Sequence, residues 1–130
     1  MKKILKLIAD EMKSAGIDYH FQVNKKSPPT YPYHVGELLP VDSDTEDGKQ
    51  EYTLVLDGFN RKSKTSDGTL YELLADAEKI EERFPKVGGY TTLLGNQAIA
   101  IYYLSCQPVD SGDEQLQKVQ TLLQIKSWKG

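Results

Sequence analysis

Two stretches of the chain repeat apolar residues at helical spacing. In residues 2–15 the apolar side chains fall on one face, and Gly16 follows at a position where many helices end. In residues 70–84 the same spacing continues until Pro85, which cannot extend a helix. We therefore predict two amphipathic helices, over 2–15 and 70–84.

The second of these helices also carries a start signal. Thr69 precedes it and Glu72 follows three residues later, which is the spacing of a capping box. The segment before it, residues 60–68, is polar and partly basic, and we predict that it is a mobile loop.

Alternating apolar and polar residues predict a long β-hairpin in the first half of the chain. Residues 31–38 and 50–59 both alternate, and an Asp-Gly pair at 47–48 suits a tight turn between them. Pro32 lacks a backbone donor, which favours a strand start or an edge position. We interpret residues 31–59 as one hairpin with an acidic tip.

The second half of the chain predicts three further strands. Residues 90–94 and 97–105 flank a Gly-Asn pair, another hairpin signal, and residues 117–128 alternate again. In this last strand we predict an inward set and an outward set, with Leu122 as a break in the pattern. The inward set is Val119, Thr121, Leu123 and Ile125, and the outward set is Lys118, Gln120, Gln124 and Lys126. Residues 98–104 are apolar on both faces, as in a central strand.

Together these elements predict the α+β class. The strands are grouped rather than strictly alternating with helices, which favours a mainly antiparallel or mixed sheet. Residues 17–24 have room for one further short strand. For the sheet we expect four to five strands, with the two helices packed against them. The length of 130 residues fits one domain, 1–130.

Composition and charge narrow the class of protein. The formal net charge of −3 gives no strong field for nucleic acid. The single Cys106 allows no internal disulfide, which fits a reducing compartment. The first residues resemble a signal peptide, but Lys6 and Asp10 interrupt the apolar run, and no stretch approaches the ~18 apolar residues of a membrane span. We expect a cytosolic origin and no membrane partner.

The acidic hairpin tip does not match a calcium loop. An EF-hand needs Gly at its sixth position and a bidentate Glu at its twelfth. Counting from Asp42, these positions hold Asp47 and Thr53. A solvated turn is the better interpretation, and we expect no metal and no other cofactor, although a cation held weakly between subunits stays open.

No pattern of residues indicates catalysis. His20 and His34 are the only histidines, and the chain has no Gly-x-Ser-x-Gly elbow. Cys106 ends an apolar strand, where an inert thiol is common. We expect a structural or surface role for His34 and no enzyme activity.

Charge is unevenly distributed along the chain. Lysines near the N-terminus and in 61–64 could contact phosphate, and Tyr31 and Tyr33 could stack on bases, but residues 40–58 carry six acidic residues against one lysine. We therefore expect no specific nucleic-acid partner. Opposite charges on separate segments suit a head-to-tail contact between identical subunits, which closes into rings. The candidate interface residues are Asp42, Asp44, Glu46, Asp47, Arg61, Lys62 and Lys64.

Several runs of residues resemble one family. These runs are PTYPYHVGE at 29–37, EDGKQE at 46–51, LVLDGF at 54–59 and VQTLLQIKSW at 119–128, with the helix between them ending in Arg83-Phe84-Pro85. Together they resemble small tail proteins of prophages in Gram-positive bacteria, which belong with the tail terminator and tail-to-head joining (tail completion) proteins of long-tailed phages. The resemblance spans residues 29–128.

The resemblance implies an α+β structural protein of the virion tail, made in the host cytoplasm. Such subunits are often monomeric when free and form a hexameric ring that caps the tail tube and docks on the head connector. The implied partners are other copies of the chain, the tail tube protein and the head-tail connector protein. The family has no catalytic residues to carry over.

One segment departs from the family pattern. Residues 61–67 are longer and more basic than the tight connection of family members, which leaves the role of this segment open. An alternative function is a binding module outside phages, with a small ligand or a partner protein held between sheet and helix.

Overall fold

The computed structural model describes residues 2–41 and 48–129. Over these residues it contains two helices and six strands. The helices are α1 (Lys2–Ser14) and α2 (Leu70–Arg83). The strands are β1 (Tyr19–Phe21), β2 (Tyr33–Val41), β3 (Lys49–Asn60), β4 (Tyr90–Leu94), β5 (Gln97–Val109) and β6 (Gln117–Lys129).

All six strands form a single sheet in the order β1-β2-β3-β6-β5-β4. β1 runs parallel to β2, and every other pair is antiparallel. The α+β class and the mixed sheet are therefore confirmed. The expected number of four to five strands is wrong, because the short strand for which residues 17–24 had room is present as Tyr19–Phe21 and joins the five longer strands.

β2 and β3 form the body of the predicted hairpin. Their register runs from Tyr33 opposite Phe59 to Val41 opposite Glu51. β2 begins directly after Pro32, as the missing backbone donor of proline predicts. Residues 42–47 lie outside the described residues, so the tight turn at the tip stays a prediction.

Both helices pack on one face of the sheet, which we call the inner face. The helical periods predict α1 and α2 to within one residue at their C-terminal ends. Their apolar stripes and the inward side chains of the sheet fill the space between the two layers. The core residues that are at most 1% exposed include Ile4, Ile8, Met12, Leu54, Leu56, Ile80, Phe84, Ile99, Ile101, Leu123 and Ile125.

The strands of the second half confirm the predicted order and faces. β4 and β5 pair as a hairpin, and β5 lies between β4 and β6 as a central strand. The inward set predicted for β6 is buried, from Val119 to Ile125 at alternate positions. β5 continues four residues beyond the predicted end at 105, because a β-bulge between Tyr103 and Ser105 interrupts its alternation.

A buried histidine joins β2 to α2. His34 has no exposed surface, and its Nε2 lies 3.0 Å from Oδ2 of Asp76. The imidazole ring rests against Gly58 of β3, where an added Cβ would lie 2.6 Å from Cε1 of His34. Gly58 is therefore required by close packing, and His34 has the structural role that the sequence allowed.

Candidate protein-binding face

The opposite face of the sheet, here called the outer face, carries neither α1 nor α2. Most of its side chains are half-buried against their neighbours on the sheet. The residues of the outer face are easiest to follow along the central strands β3 and β6, which are paired residue by residue. From one end to the other, Lys49, Glu51, Thr53, Val55, Asp57 and Phe59 lie opposite Trp128, Lys126, Gln124, Leu122, Gln120 and Lys118.

Aromatic rings cluster on the outer face where β2 begins and β3 ends. The ring centroids of Tyr31 and Tyr33 are 5.5 Å apart, and those of Tyr33 and Phe59 are 5.3 Å apart. His20 meets Tyr33 edge-on at 6.2 Å, and Nζ of Lys118 lies 5.5 Å from the Phe59 centroid. Burial, followed by the neighbouring Tyr31, raises the pKa of Tyr33 above that of a free tyrosine. Half-buried aromatic rings of this kind are enriched at protein interfaces.

The outer face carries an ion pair near its Trp128 end and two apolar residues in its middle. Nζ of Lys49 lies 2.8 Å from Oε1 of Glu51, and this contact lowers the pKa of Glu51. Val55 and Leu122 are paired across β3 and β6 and are only half-buried. The free subunit thus leaves part of two aliphatic side chains in water, which a partner could cover.

Trp128 marks the far end of the outer face. Its ring centroid lies 6.0 Å from Nζ of Lys49, and Leu93, which is 71% exposed, lies on the same face two strands away. A shallow depression of about 350 Å³ lies between Trp128 and β4 and is lined by Thr91, Thr92, Leu93, Ala98, Ile99 and Ala100.

The outer face is large enough for one protein partner. With strands about 4.8 Å apart and a rise of about 3.3 Å per residue, four strands of about twelve residues present roughly 700 Å². A standard protein interface covers about 800 Å² on each partner. The outer face and its bordering side chains therefore match the footprint of a specific interface.

Two prolines lie where β2 and β5 extend beyond their outer neighbours in the sheet. The N–H of His34 and the C=O of Gly36 both point towards β1, so the backbone N–H and C=O groups of the even-numbered residues of β2 point to that edge. Past the end of β1 this alternation turns Pro40 towards the open edge. Pro108 likewise lies in β5 beyond residues 97–101, the part paired with β4. Because edge prolines discourage strand addition, these exposed parts of β2 and β5 are poor sites for pairing with another strand.

The loop at 61–68 is anchored, in contrast to the predicted mobile loop. Nδ2 of Asn60 donates a hydrogen bond of 2.8 Å to Oε2 of Glu72, and the N–H of Asp67 donates one of 3.1 Å to Oε1. The Ser66 hydroxyl is buried and also contacts this carboxylate. These bonds, from Ser66 first and Asn60 second, lower the pKa of Glu72.

The same network explains why the predicted capping box does not form. Thr69 occupies the N-cap position of α2, as predicted, but its side chain makes no cap hydrogen bond. Glu72, which would complete the box, is turned towards Asn60, Ser66 and Asp67 instead. The buried side chains of Asn60 and Ser66 compete for the carboxylate, which the sequence spacing alone does not reveal.

Of the three basic interface candidates, Arg61 already has a partner within the chain. Its Nη2 lies 2.5 Å from Oδ2 of Asp113, which raises the pKa of Arg61. The N–H of Gln115, followed by Arg61, lowers the pKa of Asp113. Lys62 and Lys64 are exposed to solvent. Arg61 is thus paired with a residue of the neighbouring loop, whereas the two lysines are accessible to solvent.

The four acidic candidates, Asp42, Asp44, Glu46 and Asp47, lie outside the described residues. In the sequence they join Val41 to Gly48, whereas Arg61 follows the other end of β3. β3 has twelve residues, a length of about 36 Å. The acidic and basic candidates are therefore attached to opposite ends of one strand.

Among residues 2–41 and 48–129, no group of three or more His, Cys, Asp and Glu side chains is placed to hold a metal ion. Within the same ranges no helix is long and apolar enough to cross a membrane. Cys106 is half-buried inside β5 rather than at its end, where the sequence placed it.

The outer face was not among the candidate sites predicted from the sequence. In the predicted pattern the outward side chains of β6 are Lys118, Gln120, Gln124 and Lys126, and Leu122 is a break. Leu122 in fact continues the outward set. The available signal was that outward positions also include Val55, Phe59 and Trp128, whereas a fully solvated face would be polar.

No protein-family model matches the chain, and a comparison with curated proteins finds no relative. The function therefore has to be inferred from the residues and the geometry.

Proposed function

We propose that the protein is a structural subunit that acts by binding other proteins, and that it forms the ring that caps the tail tube of a long-tailed phage and helps to join tail to head. The single observation that carries the binding role is the outer face. The resemblance of residues 29–128 to tail terminator and tail completion proteins supplies the assembly in which it acts.

The outer face has the composition of an interface rather than of a solvated sheet. Aromatic rings lie at both ends, with Tyr33 and Phe59 at one and Trp128 at the other. Val55 and Leu122 lie between them and are covered only in part. Aromatic residues enriched in a surface of roughly 700 Å² favour a protein partner. We propose that this partner is the tail tube protein or the head-tail connector protein.

The charge arrangement supports assembly into a ring. The acidic segment 42–47 and the exposed pair Lys62 and Lys64 are attached to opposite ends of β3. Contacts between different patches of identical subunits are heterologous, and they close into rings when the rotation permits. The family resemblance favours six copies.

The alternative, a ligand site between sheet and helices, has no observation in its favour within the described residues. That space is occupied by core side chains such as Leu54, Ile80 and Leu123, each with no exposed surface. A small ligand there would have to displace packed aliphatic groups.

Electron microscopy of tube assembly tests the proposed function. The tail tube protein of the phage or prophage that encodes the chain would be polymerised with and without the purified protein. We expect shorter tubes that bear a ring at one end. A Leu122→Glu variant, which places a charge in the middle of the outer face, serves as the matched control and should lose the rings while keeping its circular dichroism spectrum. Tubes of unchanged length with no added density would contradict the proposal.

A further inference from the structure

One lateral edge of the molecule combines exposed apolar side chains with two lysines. Phe21 and Val23, at the end of β1 and just after it, are 37% and 53% exposed. Lys25 and Lys26 follow, and both are exposed and form no ion pair with any residue in the described ranges. Residues 19–29 contain no acidic side chain. We name these four residues, Phe21, Val23, Lys25 and Lys26, the basic edge.

A groove with the opposite charge lies where α2 ends and the chain turns towards β4. It has a volume of about 510 Å³ and is lined by Glu78, Glu81, Glu82, Pro85, Lys86 and Val87, which we name the acidic groove. Val87 is 91% exposed. The groove has three carboxylates against one ammonium group, and none of the three is in an ion pair with another residue that the structure describes.

The basic edge and the acidic groove lie on opposite sides of the subunit. β1 and β4 are the two outermost strands of the six-stranded sheet. The C=O of Phe84 accepts a hydrogen bond from the N–H of Tyr103, which places the end of α2 beside β5 and close to the β4 edge. Five strand spacings correspond to about 24 Å, so the two surfaces cannot meet within one subunit. They can meet only between two copies.

The two surfaces complement each other in both charge and polarity. Two lysines on one side would face three glutamates on the other, while Phe21 and Val23 could cover Val87 and Pro85. Apolar burial would supply most of the affinity, because exposed ion pairs are individually weak. The charges would fix the orientation and oppose wrong pairings of like surfaces.

We infer that the basic edge of one subunit binds the acidic groove of the next copy, and that this heterologous contact builds the ring. The inference rests on the proposed function and names the surfaces that join its subunits. It adds a second pair of complementary surfaces to the charged segments at the two ends of β3, which were the candidates from the sequence. The outer face then stays free for the tube or the connector.

Paired charge reversals test this contact. The variant Lys25→Glu/Lys26→Glu would carry two acidic surfaces, and Glu78→Lys/Glu81→Lys/Glu82→Lys would carry two basic ones. Each variant alone should need at least a tenfold higher concentration to form rings, in sedimentation velocity and on tube ends. A 1:1 mixture should restore assembly, because opposite surfaces then alternate around an even-numbered ring.

Controls separate this inference from the proposed function. Lys2→Glu/Lys3→Glu reverses as many charges on an adjacent pair of exposed lysines at the start of α1 and should assemble like the unaltered protein. Carbodiimide cross-linking of a mixture of unlabelled and ¹⁵N-labelled protein should join Lys25 or Lys26 of one copy to Glu78, Glu81 or Glu82 of another. Rings that form equally well from both reversed variants would overturn this inference and leave the proposed function standing. Protein that forms no ring in solution and caps no tube would overturn both.

Discussion

The two faces of the sheet are built from the same strands, but the helices cover only the inner one. Leu122 and Leu123 are neighbours in β6, but Leu123 has no exposed surface beneath the helices, whereas Leu122 stays half-buried on the outer face. The apolar side chains of the inner face are buried by other residues of the same chain. The outer face retains aromatic and aliphatic groups without a covering layer, so we infer that its covering layer is another protein.

The largest expected effect separates these two leucines. Leu123→Ala should lower the free energy of unfolding by about 3–4 kcal/mol, because it empties a packed site under two helices. Leu122→Ala should lower it by about 1 kcal/mol or less, because this side chain is already partly hydrated. Urea denaturation of the purified subunits measures both values. Equal losses would show that the outer face is as tightly packed as the inner one.

A second pair of neighbours, Gly58 and Asp57 in β3, also compares the two faces. Gly58→Ala should cost about 2 kcal/mol, because the new Cβ would collide with the buried ring of His34. Asp57→Ala, on the outer face of the same strand, should change the stability by about 0.5 kcal/mol or less. Thermal denaturation followed by circular dichroism gives both numbers, and a harmless Gly58→Ala would contradict the close packing of His34.

The third effect concerns binding rather than folding. Tyr33→Ala should weaken the association with tail tubes about tenfold, which corresponds to about 1.4 kcal/mol. Tyr71 provides the matched control, because it is 82% exposed on α2 and lies away from the outer face. Tyr71→Ala should leave co-sedimentation with tubes unchanged. If both variants bound equally well, the aromatic cluster would have no part in recognition.

The smallest effect concerns the attachment of α2 to the loop before it. The pKa of Glu72 is lowered in the folded state, so its contribution to stability is present above pH ~4.5 and is lost as the pH falls through the lower folded value. Because this carboxylate is partly solvated, we expect only a few tenths of a kcal/mol. Glu72→Gln should flatten the pH dependence of stability between pH ~3 and ~5. An unchanged slope would show that the network has little energetic weight.

Much of the fold could be predicted because its elements obey simple periods. The stripe of Ile4, Ile8 and Met12 predicts α1, and the alternation in 117–128 predicts the buried side of β6. The parallel pairing of the short strand β1 with β2 could not be predicted, because local alternation carries no information on a partner further along the chain. The capping box failed because Ser66 and Asn60 compete for Glu72 through tertiary contacts.

The candidate site was harder to predict than the fold. The sequence shows that Arg61 and Asp113 carry opposite charges, but only the adjacency of β3 and β6 brings them together. The outer face depends on the same adjacency, because Val55 meets Leu122 across two strands that are distant in the sequence. The basic edge and the acidic groove each appear in the sequence as ordinary polar segments. Their location on opposite sides of the subunit follows from the strand order.

Side-chain footprinting by hydroxyl radicals, on the free protein and on protein bound to tail tubes, tests most directly whether the outer face is the binding surface. We predict that Tyr33, Phe59, Leu122 and Trp128 lose reactivity on binding, while the exposed Tyr71 keeps its own. Bound protein whose outer-face residues react as fast as those of the free subunit would contradict the account.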